Sequence, residues 1–142
     1  MADDFDGVVS IVYRKGRPDK FILVRNLKTG NVSFPSGAKI NADDSPASTM
    51  AFVVKQQTGL KPEEYEAKQI PLGYDVVVHN EGRAERTRQL VFLVETLNTN
   101  SKSEDSGFKI KDWYTADEII QMLTVKEARQ LFEKAIKFIL PF

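Results

Sequence analysis

A single α/β (α+β) domain, built as a mixed sheet sandwiched between helices, is the fold class that this 142-residue sequence predicts. Three observations lead there. Strand-like and helix-like segments follow one another in the order β-β-(β)-α-β-β-β-α-α, so the two types alternate only loosely. Hairpins rather than βαβ crossovers join the strands, which favours a mixed sheet over a parallel one. The length suits one domain over residues 1–142 and is short for two.

Val8 to Tyr13 (VVSIVY) is β-branched and apolar at nearly every position, as in a strand covered on both faces. A polar turn from Arg14 to Asp19 leads to Phe21–Val24 (FILV), a second buried strand that forms a hairpin with the first. The turn Asn26–Asn31 contains Gly30, and a short strand Val32–Phe34 runs into Pro35. Ser45-Pro46 opens a helix, Ser capping the orphan amides and Pro fitting the first helical position. Ala47, Met50, Ala51, Val54 and Thr58 share one stripe of that helix, read as its core face, and Gly59 stops it. Lys61–Tyr65 is a polar connection with room for one helical turn.

Gly73–His79 and Gln89–Leu97 read as an antiparallel hairpin around a polar, Gly-containing turn. Asn98–Gly107 is the most loop-like stretch, and Phe108–Tyr114 alternates as one more strand. Thr115–Glu118 and Thr124–Glu127 both fit the capping-box pattern. They start a short helix to about Leu123 and a longer one to about Leu140, with Ala128, Leu131, Phe132, Ala135, Ile136 and Ile139 on one face.

Composition excludes several function classes. Twenty basic and twenty acidic side chains cancel, so no strong field points to bulk nucleic acid or to a membrane surface. A small molecule or a protein is the better partner, and the oligomeric state is not readable. The absence of cysteine removes disulfides, thiolate metal sites and a Cys nucleophile. His79 is the single histidine, which removes His-clustered zinc. The acidic opening MADDFDG carries no basic segment followed by an apolar one, and no apolar run approaches membrane-spanning length. A soluble, cytoplasmic protein is expected.

The stretch Phe34–Leu60 carries the chemistry. Phe34-Pro35-Ser36-Gly37 is a turn, Asp43 and Asp44 lie in the following loop, and Phe52-Val53-Val54-Lys55-Gln56-Gln57-Thr58-Gly59-Leu60 ends the helix. This framework resembles the box of the Nudix hydrolase family. There Gly37 stands in the Phe-Pro-Gly-Gly type turn, Asp44 takes the first Glu position with one extra loop residue, and Phe52 stands where the family has Arg. Lys111–Glu118 is similar to the Trp-containing strand and helix start late in such domains, so nearly the whole chain is covered. The resemblance implies a Nudix-like α/β/α sandwich and hydrolysis of nucleoside diphosphate-linked substrates with Mg²⁺ or Mn²⁺.

Magnesium is a hard cation that wants oxygen ligands, and carboxylates at i, i+3 and i+4 share one helical face. Here those three positions are Val53, Gln56 and Gln57. At an effective dielectric near 20, a unit charge pair at about 4 Å is worth roughly 4 kcal/mol. Losing three anions therefore weakens metal binding by about a thousandfold or more. No confident metal or cofactor is expected, and the site reads as degenerate. The leading expectation is a binding or regulatory module for a nucleotide-type ligand or a protein partner. The alternative is an active hydrolase whose metal is held by displaced carboxylates from Asp43, Asp44, Glu95, Glu104 or Asp105. Against that alternative, Asp43 and Asp44 suit the helix dipole, and Glu104-Asp105 reads as a solvated loop.

Arg83, Arg86 and Arg88 are candidate ligand-binding residues with Gly37, because Arg offers phosphate a bidentate fork. They equally fit a solvated hairpin tip, as do Arg14, Lys15 and Arg17 in the first turn. His79 fits an exposed strand end better than a general base. Trp113 fits a core anchor better than a base-stacking platform, with Tyr114 beside it. Phe52 with Val53 widens the apolar face of the helix, which suits a buried helix, an apolar pocket or a subunit contact.

Overall fold

The computed structural model describes residues 5–80, 82–97, 102, 107–123 and 126–139. Its strands are β1 (Gly7–Arg14), β2 (Lys20–Asn26), β3 (Val32–Ser33), β4 (Ser36–Ala38), β5 (Tyr65–Asn80), β6 (Arg83–Thr96) and β7 (Phe108–Tyr114). Its helices are α1 (Pro46–Thr58), α2 (Ala116–Met122) and α3 (Lys126–Ala135), with 3₁₀ turns at Pro62–Glu64 and Ile136–Phe138. The strands form one mixed sheet of seven. β1 runs parallel to β6 from Gly7↔Gln89 to Tyr13↔Glu95, and the other pairings are antiparallel.

The first hairpin is splayed. β1 and β2 meet only at Tyr13↔Phe21 and Arg14↔Lys20. Beyond that point β1 pairs with β4 through Gly7↔Ala38 to Val9↔Ser36, while β2 pairs with β3 through Val24↔Ser33 and Arg25↔Val32. The segment Val32–Ala38 is thus wedged between two diverging strands, and Ser10 N–H donates to the Pro35 carbonyl at 2.8 Å within the gap. β4 is invisible in the sequence because Ser36-Gly37-Ala38 has no strand propensity of its own. Its extended form is imposed by the β1 edge, where a Cβ on Gly7 would come within 2.4 Å of the Gly37 carbonyl oxygen.

Each face of the sheet carries its own core, which is why β1 reads apolar throughout. Val8, Val12, Ile22, Leu90, Phe92 and Val94 pack with Met50, Val53, Val54 and Leu60 on the α1 side. Val9, Ile11, Phe21, Leu23, Val91 and Leu93 pack with Ile119, Leu131 and Phe132 on the α2/α3 side. Phe132 stacks on Phe34 at 5.4 Å and meets Phe21 edge-on at 4.9 Å. This is the expected α/β/α sandwich.

Three boundaries differ from the expectation. β5 begins at Tyr65 rather than Gly73, and β6 at Arg83 rather than Gln89. From Tyr65 to Leu72 only Ile70 is buried, so this edge strand shows no alternation to read. Pro71 and Leu72 drop out of the ladder at a register shift between Ile70 and Gly73, as Pro requires. α3 gives way to a 3₁₀ turn at Ile136, short of Leu140, where Ile136 and Ile139 are half-buried. The Thr124-Val125 start of the second capping box lies outside the described residues.

The first capping box is present: Thr115 N–H donates to Glu118 Oε1 at 2.9 Å, and Glu118 N–H donates to Thr115 Oγ1 at 3.4 Å. The backbone hydrogen bond from Thr115, then the one from its hydroxyl, holds the exposed Glu118 carboxyl below the usual carboxylate range. A folded pKa below the unfolded one stabilises at pH above the unfolded value and loses that contribution as pH falls. A carboxyl-detected NMR titration is therefore expected to place Glu118 below its ordinary value of 4.5, and Thr115→Ala to move it back up.

Candidate functional site

The site grows from the α1 start. Ser45 caps the helix in extended geometry (φ −80°, ψ 160°), its hydroxyl accepting from Ser48 N–H at 3.1 Å. Ser48 Oγ accepts from Ser45 N–H at 3.1 Å, closing the box reciprocally, and Pro46 follows where its missing N–H costs nothing. Gly59 ends α1 in the left-handed region at φ 77°, a conformation that strains any side chain.

Between these caps the inward face is not the one the apolar spacing predicts. Thr49, Met50, Val53, Val54, Gln57 and Thr58 are buried, whereas Ala47 is exposed and Ala51 half-buried. The stripe is rotated because β4 packs against the Val53–Gln57 side of the helix. A Cβ on Gly37 would lie 3.0 Å from Val53 Cγ2, so any other residue would make Val53 or β4 give way by a few tenths of an ångström. Val53 is 1% exposed and Phe52, its neighbour, 48%. The reading of Phe52 and Val53 as one apolar surface is corrected: Val53 is core, and Phe52 alone faces outward.

Gln57 occupies one of the three helix positions from which carboxylates could converge on a metal. Its side chain, 2% exposed, donates through Nε2 to the Ser36 carbonyl at 2.7 Å and accepts through Oε1 from Ser36 N–H at 3.2 Å. One primary amide thus satisfies both backbone polar groups of one residue on the wedge. No sequence signal marks Ser36 as its partner. A glutamine amid an apolar helical face is the only hint, since buried polar groups are expected to be hydrogen-bonded.

The other candidates fall in several places. Asp43 is exposed, and half-buried Asp44 closes a loop turn, its Oδ2 accepting from Asn41 N–H at 2.9 Å. Glu95 stands next to Val94 on β6 and so projects from the sheet face opposite α1, where its Oε1 accepts from the Tyr13 hydroxyl at 3.3 Å. Glu104 and Asp105 lie outside the described residues. Gln56 is half-buried on α1. Arg86 and Arg88 are exposed on β6, and Arg83 pairs with Asn80 across the hairpin tip, where Gly82 takes φ 77°. His79 pairs with Ala84 in the same hairpin. Trp113 and Tyr114 are half-buried, Trp113 against the α1-side core and Tyr114 against the α2/α3-side core.

Asp6 ties two of these regions together. Its N–H donates to the Arg88 carbonyl at 2.8 Å, its Oδ2 accepts from Arg88 N–H at 2.7 Å, and its carbonyl accepts from Lys39 N–H at 2.9 Å. The Arg88 end of β6 therefore sits beside the exit of β4. There a shallow cleft of about 200 Å³ is lined by Ala38, Ile40, Asn41, Asp44, Ser48, Thr49 and Phe52. Ile40 and Phe52 leave large apolar surfaces open to it, at 65% and 48% exposure.

Among the described residues, α1 itself offers no carboxylate to a Mg²⁺ or Mn²⁺ ion. Val53 has no donor, Gln57 spends its amide on Ser36, and Asp44 is engaged by its own loop. Among the described residues no three His, Asp or Glu side chains gather where they could hold a metal. No helix among them is long and apolar enough to cross a membrane.

A loop-helix-loop seated in a splayed mixed sheet, with helices on both faces, is the architecture of a Nudix-like domain. Solved structures bear this out as a likeness of fold. The chain superposes on the Nudix domain of Shewanella oneidensis NrtR, complexed with ADP ribose, at TM-score 0.74 and 15% identity over 99% of this chain and 91% of that one. A C. elegans Ap4A hydrolase matches at TM-score 0.71 and 13% identity, over 99% and 100% of the two chains. The E. coli dihydroneopterin triphosphate pyrophosphohydrolase matches at 0.68 and 10%, over 93% and 97%. No family model matches the sequence, and no curated protein matches it. The chain has the Nudix fold.

Proposed function

We propose that this chain is a Nudix-fold binding module that holds a nucleotide-type ligand and does not hydrolyse it. One observation carries the reading: Gln57 and Val53 turn inward, one locked to the Ser36 residue and the other sealed in the core. A reaction that needs several carboxylates around a divalent ion has no such set on this helix face. What the face does offer is a shallow cleft with an exposed aromatic ring, Phe52, near the arginine-bearing end of β6. Ring stacking and guanidinium–phosphate contacts are the interactions that recognise a nucleotide diphosphate. The ADP ribose carried by the NrtR Nudix domain supports this ligand class.

The test has two arms, with ADP-ribose as the probe in both. With Mg²⁺ or Mn²⁺ present, no phosphate or nucleotide release is expected. At a ligand concentration of about 100 times Kd, stability should rise by about 2.7 kcal/mol and the melting temperature by about 8 °C. Phe52→Ala should remove most of that rise. Metal-dependent turnover abolished by Asp44→Asn would establish the hydrolase instead. Silence in both arms would overturn the ADP-ribose-type ligand.

A further inference from the structure

A second cavity lies on the other side of the sheet, at the far end of β1. It is a half-open pocket of about 260 Å³, lined by Tyr13, Lys15, Glu66, Lys68, Glu95 and Phe138 among others. The α1 cleft borders β4, which pairs with Gly7–Val9, so the two are separated by the thickness of the sheet and by about 20 Å of strand.

Strand register builds the charge pattern. Tyr13↔Glu95 on β1–β6 and Glu95↔Glu66 on β6–β5 set one row across three strands, so two carboxylates stand directly opposite each other. Like charges in that relation destabilise a sheet. The row is flanked by Lys15 on one side and by Lys68, opposite Leu93, on the other. Glu66 and Lys68 are exposed and Glu95 half-buried, whereas the Nζ of half-buried Lys15 is shielded from solvent and has no hydrogen-bond partner among the described residues. The Tyr13 hydroxyl donates to Glu95 at 3.3 Å, long for an O–H donor. Leu93, Phe138 and the Tyr13 ring supply an apolar wall.

A buried ammonium without an acceptor and two facing carboxylates with one weak donor between them are complementary demands. A lone anion such as phosphate would meet the first and be repelled by Glu66 and Glu95. A lone amine would meet the second and leave Lys15 unanswered. We propose that this cavity is a site for a small zwitterion of the free amino-acid class, its carboxylate on Lys15, its ammonium between Glu66 and Glu95, and its apolar side chain against Leu93 and Phe138. The volume suits one such molecule and lies below the range of pockets that bury most of a larger ligand. Burial first, then the Glu95 charge, pushes the Tyr13 hydroxyl up to about 12, so it remains a neutral donor to Glu95 at physiological pH.

The experiment titrates the ¹⁵N-labelled chain with L-leucine, L-methionine and 5-aminopentanoate to about 10 mM, the range of weak metabolite binding. The controls are 4-methylpentanoate, isoamylamine and inorganic phosphate. Saturable shifts confined to the amides of residues 13–15, 66–68 and 93–95 are expected from at least one zwitterion, with each control at least about tenfold weaker. Lys15→Met keeps the stem and removes the charge, and Glu95→Gln keeps the shape. Each should weaken binding by about tenfold or more, and either one that folds reads the result. No saturable response to any zwitterion overturns the proposal. So does an equal response to 4-methylpentanoate, isoamylamine or phosphate, or binding that survives both substitutions.

Discussion

Val53→Glu is expected to cost about 4 kcal/mol or more of folding stability, because it forces a carboxylate into a side-chain site with no partner for it. The site is 1% exposed, with Val8, Val12, Phe92 and Gly37 around it on the sheet side. Urea unfolding followed by circular dichroism measures the loss, and Phe52→Glu one residue earlier provides the contrast. At 48% exposure that substitution should stay within about 0.5 kcal/mol of the parent. Equal tolerance at both positions would contradict the helix orientation. The pair also bears on function. A carboxylate placed at residue 53 would point into the core rather than into a cleft.

Gln57→Leu should be the next most damaging change, at about 2–3 kcal/mol, because it leaves the backbone N–H and carbonyl of Ser36 without this partner. Ser36 is half-buried, so water recovers part of the loss. Gln57→Glu separates the two hydrogen bonds. A carboxylate still accepts from Ser36 N–H but opposes the Ser36 carbonyl, so its folded pKa rises above the unfolded one. Stability contributed by the protonated form is then full below the unfolded pKa and lost as pH rises through the folded pKa. The urea midpoint of Gln57→Glu should therefore fall between about pH 4 and about pH 7, while that of the parent holds steadier. A flat profile for the variant would mean that the amide does not face the carbonyl.

These two residues also mark where the sequence could be read and where it could not. The caps, the Gly59 stop, the two buried strands and the antiparallel hairpin were legible because each has a local chemical signature: a hydroxyl at N-cap, a glycine at positive φ, an unbroken β-branched run. β4 and the start of β5 were not. Ser36-Gly37-Ala38 and Tyr65–Leu72 are strands by virtue of a neighbour's unpaired edge, and no local pattern encodes a neighbour. The rotation of α1 escaped for a related reason. Counting apolar residues finds Ala47 and Ala51, but burial went to Thr49 and Gln57, whose polarity is offset by hydrogen bonds to Ser45 and Ser36. The framework of the candidate site was therefore foreseeable and its inward face was not. The cavity around Lys15 was hidden as well: its residues come from β1 and the turn after it, β5, β6 and the Ile136–Phe138 turn, which only the folded register assembles.

The amide clasp between Gln57 and Ser36 has one more implication. A helix face crowded with carboxylates repels itself whenever its cations leave, so the neighbouring loop answers to chelators, ionic strength and acidity. A neutral amide has no such dependence. Here the seat of the wedge is set by a contact that carries no net charge, and Val53 beside it is indifferent to the solvent altogether. The Gln57–Ser36 seat of the loop-helix unit thus offers no charge for acid or magnesium to change, while the Asp44 turn beside it still depends on a carboxylate.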